Sequence, residues 1–211
     1  MAGVLGRHVF VAGAAVTGTR PNNSFKPKPL RGSANSGVRF LMAIRALTEA
    51  DASAFQALRL SALTECPAAF TSSYSEECDI PLSVVAGRIA PSPDHCIFGA
   101  FEDSHLVGCV GIRRETKLKL AHKAYIWGMY VAPLHRNKGV GRELIAQALA
   151  FADSMPGLRG VILSVAKGNS AAVTLYERAG FRVFGVEPGA MLIDNELRDE
   201  VHMSRFANGE T

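Results

Sequence analysis

From Ala43 onward, short apolar runs alternate with amphipathic stretches, the pattern of mixed α and β structure. Residues 44–47 predict a first strand. Thr48 stands where a helix would be capped, with Asp51 three positions on, and Phe55, Leu58 and Ala62 share one face of a helix predicted over 52–63. A second helix is predicted over 81–89, opened by Pro81, and the runs 96–102 and 106–114 predict a hairpin. The long strand predicted over 124–131 is ended by Pro133. After it the pattern predicts a helix over 139–154, a strand over 160–165, a helix over 170–179, and strands near 181–186 and 200–206. No internal repeat is visible.

Residues 1–41 differ in kind. A small apolar run, 9–16, precedes a stretch over 20–37 rich in Pro, Asn, Lys, Ser and Gly, and neither carries a periodic core face. The run after Arg7 and His8 has the look of a short signal-like segment, and the lack of acids suits a transit peptide, but no clear small-residue cleavage pattern follows. Met42 begins Met-Ala-Ile-Arg-Ala-Leu, which looks like a natural start. The favoured expectation is an extension, disordered or non-native, ahead of one domain over 42–211.

Composition narrows the function. Apolar residues make up 48% and charged residues 20% of 211, ordinary for a soluble domain, and no apolar run has the length of a membrane span. The formal charge of +4 is uneven: six of the 23 basic residues stand in 1–41 beside no acid, leaving 17 against all 19 acids in the body. A body without a basic face gives nucleic-acid binding little electrostatic support. Cys66, Cys78, Cys96 and Cys109 are 12, 18 and 13 positions apart with no ligand-spaced His, which argues against a zinc site and for small thiols in a reducing cytoplasm.

The most informative stretch is Val131-Ala-Pro-Leu-His-Arg136-Asn137-Lys138-Gly139-Val140-Gly141-Arg142, where a strand stops and a helix opens at a pair of glycines. Glycines one residue apart let the backbone approach a ligand, and the helix start adds roughly half a positive charge. A pyrophosphate fits such a place, with Arg136, Lys138 and Arg142 around it. The P-loop pattern is absent, and the dinucleotide fingerprint would need glycine where Leu144 stands.

Arg136-Asn-Lys-Gly139-Val-Gly141 resembles the R/Q-x-x-G-x-G/A signature of the GNAT superfamily of acyl-CoA N-acyltransferases. Asn169-Ser-Ala-Ala172-Val-Thr-Leu-Tyr176-Glu-Arg-Ala-Gly180-Phe181 resembles that family's later N-x-x-A-x-x-x-Y-x-x-x-G-F segment, and Asp199-Glu-Val-His-Met203 its closing strand. The likeness covers about residues 43–206. It implies an α/β (mixed α+β) fold: a mixed, mostly antiparallel twisted sheet of about six to seven strands, about four flanking helices, and a splay between the fourth and fifth strands. It also implies acetyl-CoA as cosubstrate, no metal, and a primary amine of a small molecule, amino acid or peptide as acceptor, with room for a homodimer.

The resemblance assigns the pyrophosphate to residues 136–142, the pantetheine arm to Met129, Tyr130 and Val131, the oxyanion to the Met129 backbone N–H, and the proton for the leaving sulfur to Tyr176. Asn169, seven residues before Tyr176, falls on the same helical face and is an expected polar contact. Two plainer roles stand beside these: Tyr176 as part of a core stripe with Ala172, Leu175 and Ala179, and Asn169 as an N-cap. Some relatives carry a basic Glu four residues before the oxyanion donor, where this chain has Tyr125; Tyr125, His122 and Glu102 are the alternatives. The segment from Leu58-Arg59 to Ser72-Ser73 resembles a border of the acceptor pocket. A non-catalytic acyl-CoA-binding module on the same fold is the competing function.

A chain beginning at Met42 is expected to unfold cooperatively and to bind coenzyme A, because residues 1–41 offer little apolar burial against the entropy of ordering them. Loss of either property, by denaturation or calorimetry, would make the extension part of the domain.

Overall fold

A computed structural model describes residues 42–206; the expectations for residues 1–41 lie outside the described residues. The strands are β1 (Met42–Ala46), β2 (His95–Glu102), β3 (His105–Arg114), β4 (Lys123–Val131), β5 (Gly160–Ala166), β6 (Arg182–Ile193) and β7 (Glu196–Phe206). The helices are α1 (Ala52–Glu65), α2 (Tyr74–Glu77), α3 (Leu82–Ile89), α4 (Val140–Asp153) and α5 (Ser170–Arg178). One seven-stranded sheet has the order β1-β2-β3-β4-β5-β7-β6, every pairing antiparallel except β4 with β5. This is the mixed sheet that the sequence predicts.

Each face of the sheet carries its own core. On one, Leu144, Ile145 and Ala148 of α4 pack with Val161, Leu163 and Val165 of β5, and Tyr176 of α5 joins them. On the other, Phe55, Leu58, Ala62 and Leu63 of α1 pack with Val85 and Ile89 of α3 over Ile97, Phe101, Cys109 and Tyr130. The period-two burial of β5, with Val161, Leu163 and Val165 inward, therefore turns Ile162, Ser164 and Ala166 toward the α1 side. There a 3-10 turn, Pro67–Ala69, reaches across to β5 and β6.

The ends of the elements follow local chemistry. The Thr48 N–H donates to Asp51 Oδ2 at 2.8 Å, and Arg45 donates to both carboxylate oxygens at 2.8 and 2.7 Å. Hydrogen bonding from Arg45, with help from Thr48, outweighs burial and holds the Asp51 carboxyl at about 2. The chain passes through a 3-10 turn, Glu49–Asp51, before α1 begins. The first strand ends at Ala46, one residue before its predicted end, and Leu47 is wholly buried with its N–H donating to Ile97 O at 2.7 Å.

Two features depart from the expected pattern. β6 and β7 form a hairpin much longer than the strands predicted near 181–186 and 200–206, closed at Asp194 and Asn195, both with positive φ. Glu187-Pro-Gly reads as a strand breaker, but β6 is an edge strand, and a shift in register between Glu187 and Met191 absorbs Pro188 and Gly189. Helix α2 is the second departure. Ser73 and Glu76 cap it reciprocally, the Ser73 N–H donating to Glu76 at 2.7 Å, a signal present in the sequence at a helix too short to show a periodic face.

Helix α2 is held by polar groups that α1 buries. Gln56 Nε2 donates to Glu77 O at 2.7 Å, and Arg59 donates to the Glu77 carboxylate at 2.9 Å while lying over the Phe70 ring. This clamp fixes the segment that carries the 3-10 turn across the sheet. Burial pushes the Glu77 carboxyl up, but Arg59 outweighs it and keeps the group below its ordinary value. Its contribution is therefore complete above the ordinary carboxylate range and is lost as pH falls through the folded value. Glu77→Ala is expected to cost about 3–5 kcal/mol at neutral pH by urea denaturation, since it leaves the Arg59 charge buried and unpaired, and the difference from the unaltered protein should narrow in acid.

Candidate functional site

The site begins where two neighbouring strands stop pairing. β4 and β5 are matched only over Lys123–Tyr125 and Gly160–Ile162; beyond these, β5 continues along β7 and β4 along β3. In the same stretch β4 carries an extra residue: Cys109 faces Tyr130 while Gly111 faces Trp127, so Gly128 and Met129 have no partner in the register. Gly128 takes a φ of 63° there, a left-handed conformation that side chains resist. The bulge changes which residues face which core. Ala124 and Ile126 face α4, and so do Met129 and Val131 beyond the bulge, whereas Trp127 and Tyr130 face α1.

The glycine turn lies beside this opening. Asn137 and Gly139 both have positive φ, 60° and 84°, in a conformation that turns successive N–H groups to one side. Gly139 is the N-cap of α4 and no side chain caps it, so the N–H groups of the first turn are left for a ligand. A Cβ on Gly141 would stand 3.2 Å from Met129 Cε and 3.3 Å from Leu175 Cδ2, so this residue lets the start of α4 sit close against β4 and α5.

The cations around the turn divide differently from the sequence expectation. Arg136 is a brace: its Nε donates to Val131 O at 2.8 Å and its Nη2 to Glu65 Oε1 at 2.6 Å. Glu65 also accepts the Tyr130 hydroxyl at 2.7 Å. That hydroxyl and Arg136 hold the Glu65 carboxyl below its ordinary value, while burial and Glu65 push the Tyr130 phenol up to about 12. Arg142 is exposed and paired with Glu143 at 2.9 Å. Lys138 has no ion pair among the described residues. Glu65 is invisible to motif reasoning because it meets Arg136 across 71 positions.

Helix α5 brings its two expected residues to the same end of the sheet in unequal roles. The Asn169 side chain accepts the Ala172 N–H at 3.1 Å, so it caps the helix, and its oxygen is spent on that bond. Tyr176 is 6% exposed, edge-on to Phe181 at 6.0 Å, and its hydroxyl makes no hydrogen bond among the described residues. Burial raises its phenol above the ordinary value, so it is protonated at neutral pH. The ring fills the core while the hydroxyl keeps its proton, so the packing role does not preclude a donor role.

The three expected bases separate. His122 precedes β4, at the far end of the strand from the bulge. Glu102 ends β2, two strands from the opening, and is occupied by His135 Nε2 at 3.0 Å. Tyr125 is the last residue of β4 paired with β5, and burial raises its phenol. A set that sequence spacing does not reveal lies nearby. Ser164 Oγ is 2.8 Å from His202 Nδ1, His202 Nε2 is 3.3 Å from Glu187 Oε2, and Phe184 stacks on the imidazole. These residues come from β5, β7 and β6, and only the pairing of Ser164 with His202 in the sheet joins the first two.

Comparison with known proteins agrees with this geometry. The model of the acetyltransferase (GNAT) family matches residues 57–181. The histone acetyltransferase MCC1 of Arabidopsis thaliana is 34% identical over 85 residues, 40% of this chain and 34% of that protein. The spermidine N(1)-acetyltransferase of Vibrio cholerae is 33% identical over 72 residues, 34% of this chain and 42% of that protein. The matches thus span less than half the length of these curated relatives. A GNAT-family acetyltransferase from Streptococcus pneumoniae shares the fold with a TM-score of 0.69 at 22% identity, over 79% of this chain and 99% of that one. Arabidopsis thaliana NAA60 in complex with acetyl-CoA does so with a TM-score of 0.62 at 21% identity, over 80% and 99%. With a family model matched from α1 to the residue that follows Gly180, across the parted strands, the glycine turn and Tyr176, the chain belongs to the acetyltransferase (GNAT) family.

Proposed function

We propose that the protein transfers an acetyl or similar small acyl group from acetyl-CoA to a primary amine of a small molecule, amino acid or peptide, by direct attack in a ternary complex. The observation that carries this is the uncapped start of α4 beside the parting of β4 from β5. The residues fit the cosubstrate: the Gly139 and Gly141 backbone and Lys138 would hold its pyrophosphate, and the β4 edge at Met129, Tyr130 and Val131 would hold its arm. Arg136 supports that turn through Glu65 and Val131 O, and Asn169 supports α5 by capping it. The thioester supplies an activated acyl carbon.

The chain's own groups do the rest. Met129, unpartnered at the bulge, offers its N–H to the oxyanion, an interaction worth roughly 3–4 kcal/mol in acyl-transfer sites. Tyr176 donates its proton to the departing sulfur. Direct transfer agrees with the cysteines: burial pushes the Cys96 and Cys109 thiols up to about 12, away from nucleophilic thiolate. The fold does bring Cys66 to 4.0 Å from Arg136, so Cys66→Ala is the control for a covalent route and should keep full activity.

Thiol release with acetyl-CoA and a panel of amines tests the reaction; release with none of them would leave a binding module. Gly141→Val is expected to weaken coenzyme A binding by roughly tenfold or more, since the added carbons press on Met129 and Leu175, and Gly139→Val should do so by straining a positive φ. Calorimetry on the folded variants reads this directly.

Tyr176→Phe should lower kcat by about ten- to ten-thousandfold and leave coenzyme affinity nearly intact, because only the phenolic hydroxyl, the proton donor, is removed. Full kcat where chemistry limits the rate would make Tyr176 a packing residue.

A further inference from the structure

Direct transfer requires a group that takes the proton of the attacking amine, and we infer that His202 takes it through the Ser164 hydroxyl, with Glu187 holding the imidazole. The inference rests on the acetyl-transfer reaction above and names its missing base.

Hydrogen-bond chemistry sets the direction of the relay. An ionised carboxylate only accepts, so the tautomer that suits Glu187, whose Oε2 lies at an ion-pair distance of 3.3 Å from His202 Nε2, is the one with the ring proton on Nε2. In that tautomer Nδ1 keeps its lone pair and accepts the Ser164 O–H across the 2.8 Å contact. Ser164 is exposed and keeps oxygen lone pairs for a donor arriving from the cleft. The His202 side chain is 21% exposed, covered by Phe184, so its route to a substrate runs through the serine.

Position supports the assignment as strongly. Ser164 is two residues past Ile162, the last residue of β5 matched with β4, so it stands where the strands part. It faces away from Leu163 and Val165, toward the side where the turn Pro67–Ala69 crosses β5 and β6. Tyr176 belongs to the opposite core, and the opening between β4 and β5 is the place where groups on the two faces can meet one reacting carbon. An amine entering beneath the turn would meet the acyl group with the acid on one side and the relay on the other. The register places Glu187 of β6 and Glu200 of β7 on the His202 face, with Arg182 beside Ser204 and Tyr125 beside Ile162. The two carboxylates nearest His202 in the register favour a cationic acceptor.

The steps balance. The amine nitrogen bonds to the acyl carbon and the carbon–sulfur bond breaks. The amine proton passes to Ser164 Oγ as the Ser164 proton passes to His202 Nδ1, and Tyr176 protonates the sulfur; solvent then restores His202 and Tyr176.

The test combines kinetics with nitrogen-15 NMR of the full chain. His202→Gln and Ser164→Ala should each lower kcat by about a hundred- to ten-thousandfold with coenzyme A affinity unchanged, the deficit shrinking as pH rises and the acceptor loses its proton unaided. Glu187→Gln should lose roughly tenfold, the lower end of such effects. NMR should find the neutral His202 ring protonated on Nε2. An Nδ1-protonated ring would overturn the relay, because that nitrogen would then donate to Ser164. So would full kcat with an unchanged pH profile in either His202→Gln or Ser164→Ala, or an acetyl adduct on Ser164, which would make it a nucleophile. These results leave the acetyl-transfer reaction standing. If the unaltered protein acetylates no amine, the reaction itself falls and the relay with it.

Discussion

The structure depends on one interruption: β4 and β5, the only parallel neighbours in the sheet, are matched over three residues each and then part. A continuous sheet would separate its two faces by a layer of hydrogen-bonded backbone, and groups on opposite sides could not act on one atom. The parting removes that layer locally. Its cost in unpaired backbone is limited because each strand keeps its other neighbour, β3 for β4 and β7 for β5. The bulge at Gly128 and Met129 works with it, since an extra residue reverses the alternation of side chains and leaves main-chain groups unmatched at the same level.

Around the opening, the two halves of the site are tied together by charge. Arg136 follows the strand that ends at the opening, yet it reaches Glu65 at the end of α1, and Glu65 reaches back to Tyr130 on β4. The glycine turn and α1 are therefore parts of one hydrogen-bonded unit. Helix α1 extends that unit through Gln56 and Arg59, which hold α2 and so the segment that crosses β5 and β6. Buried polar groups here set position more than they add stability, as expected where desolvation offsets much of an ion pair's attraction.

The residues expected to act on the ligand also serve the fold. Tyr176 fills the core on Phe181, and the burial that packs it also keeps its phenol protonated. Asn169 starts α5, and Gly141 lets α4 lie against β4. A substitution at such positions disturbs geometry and chemistry together, so coenzyme affinity and turnover have to be measured separately.

Local pattern determined a great deal by itself. The order of the strands and of the helices other than α2, the helix opened by Gly139 and the helix bearing Tyr176 were legible because amphipathic period, glycine spacing and proline stops act over a few residues. The extent of β6 and β7 was not, because a proline that ends an inner strand is tolerated on an edge, and edge position is decided by the whole sheet. Arg136 was legible as a cation near the turn; that its charge faces Glu65, 71 positions away, was decided by packing. Ser164, His202 and Glu187 are ordinary residues at unrelated spacings, and strand register alone makes them neighbours. Contacts between side chains on different strands depend on register, which arises from the closing of the whole sheet and leaves no period in the chain.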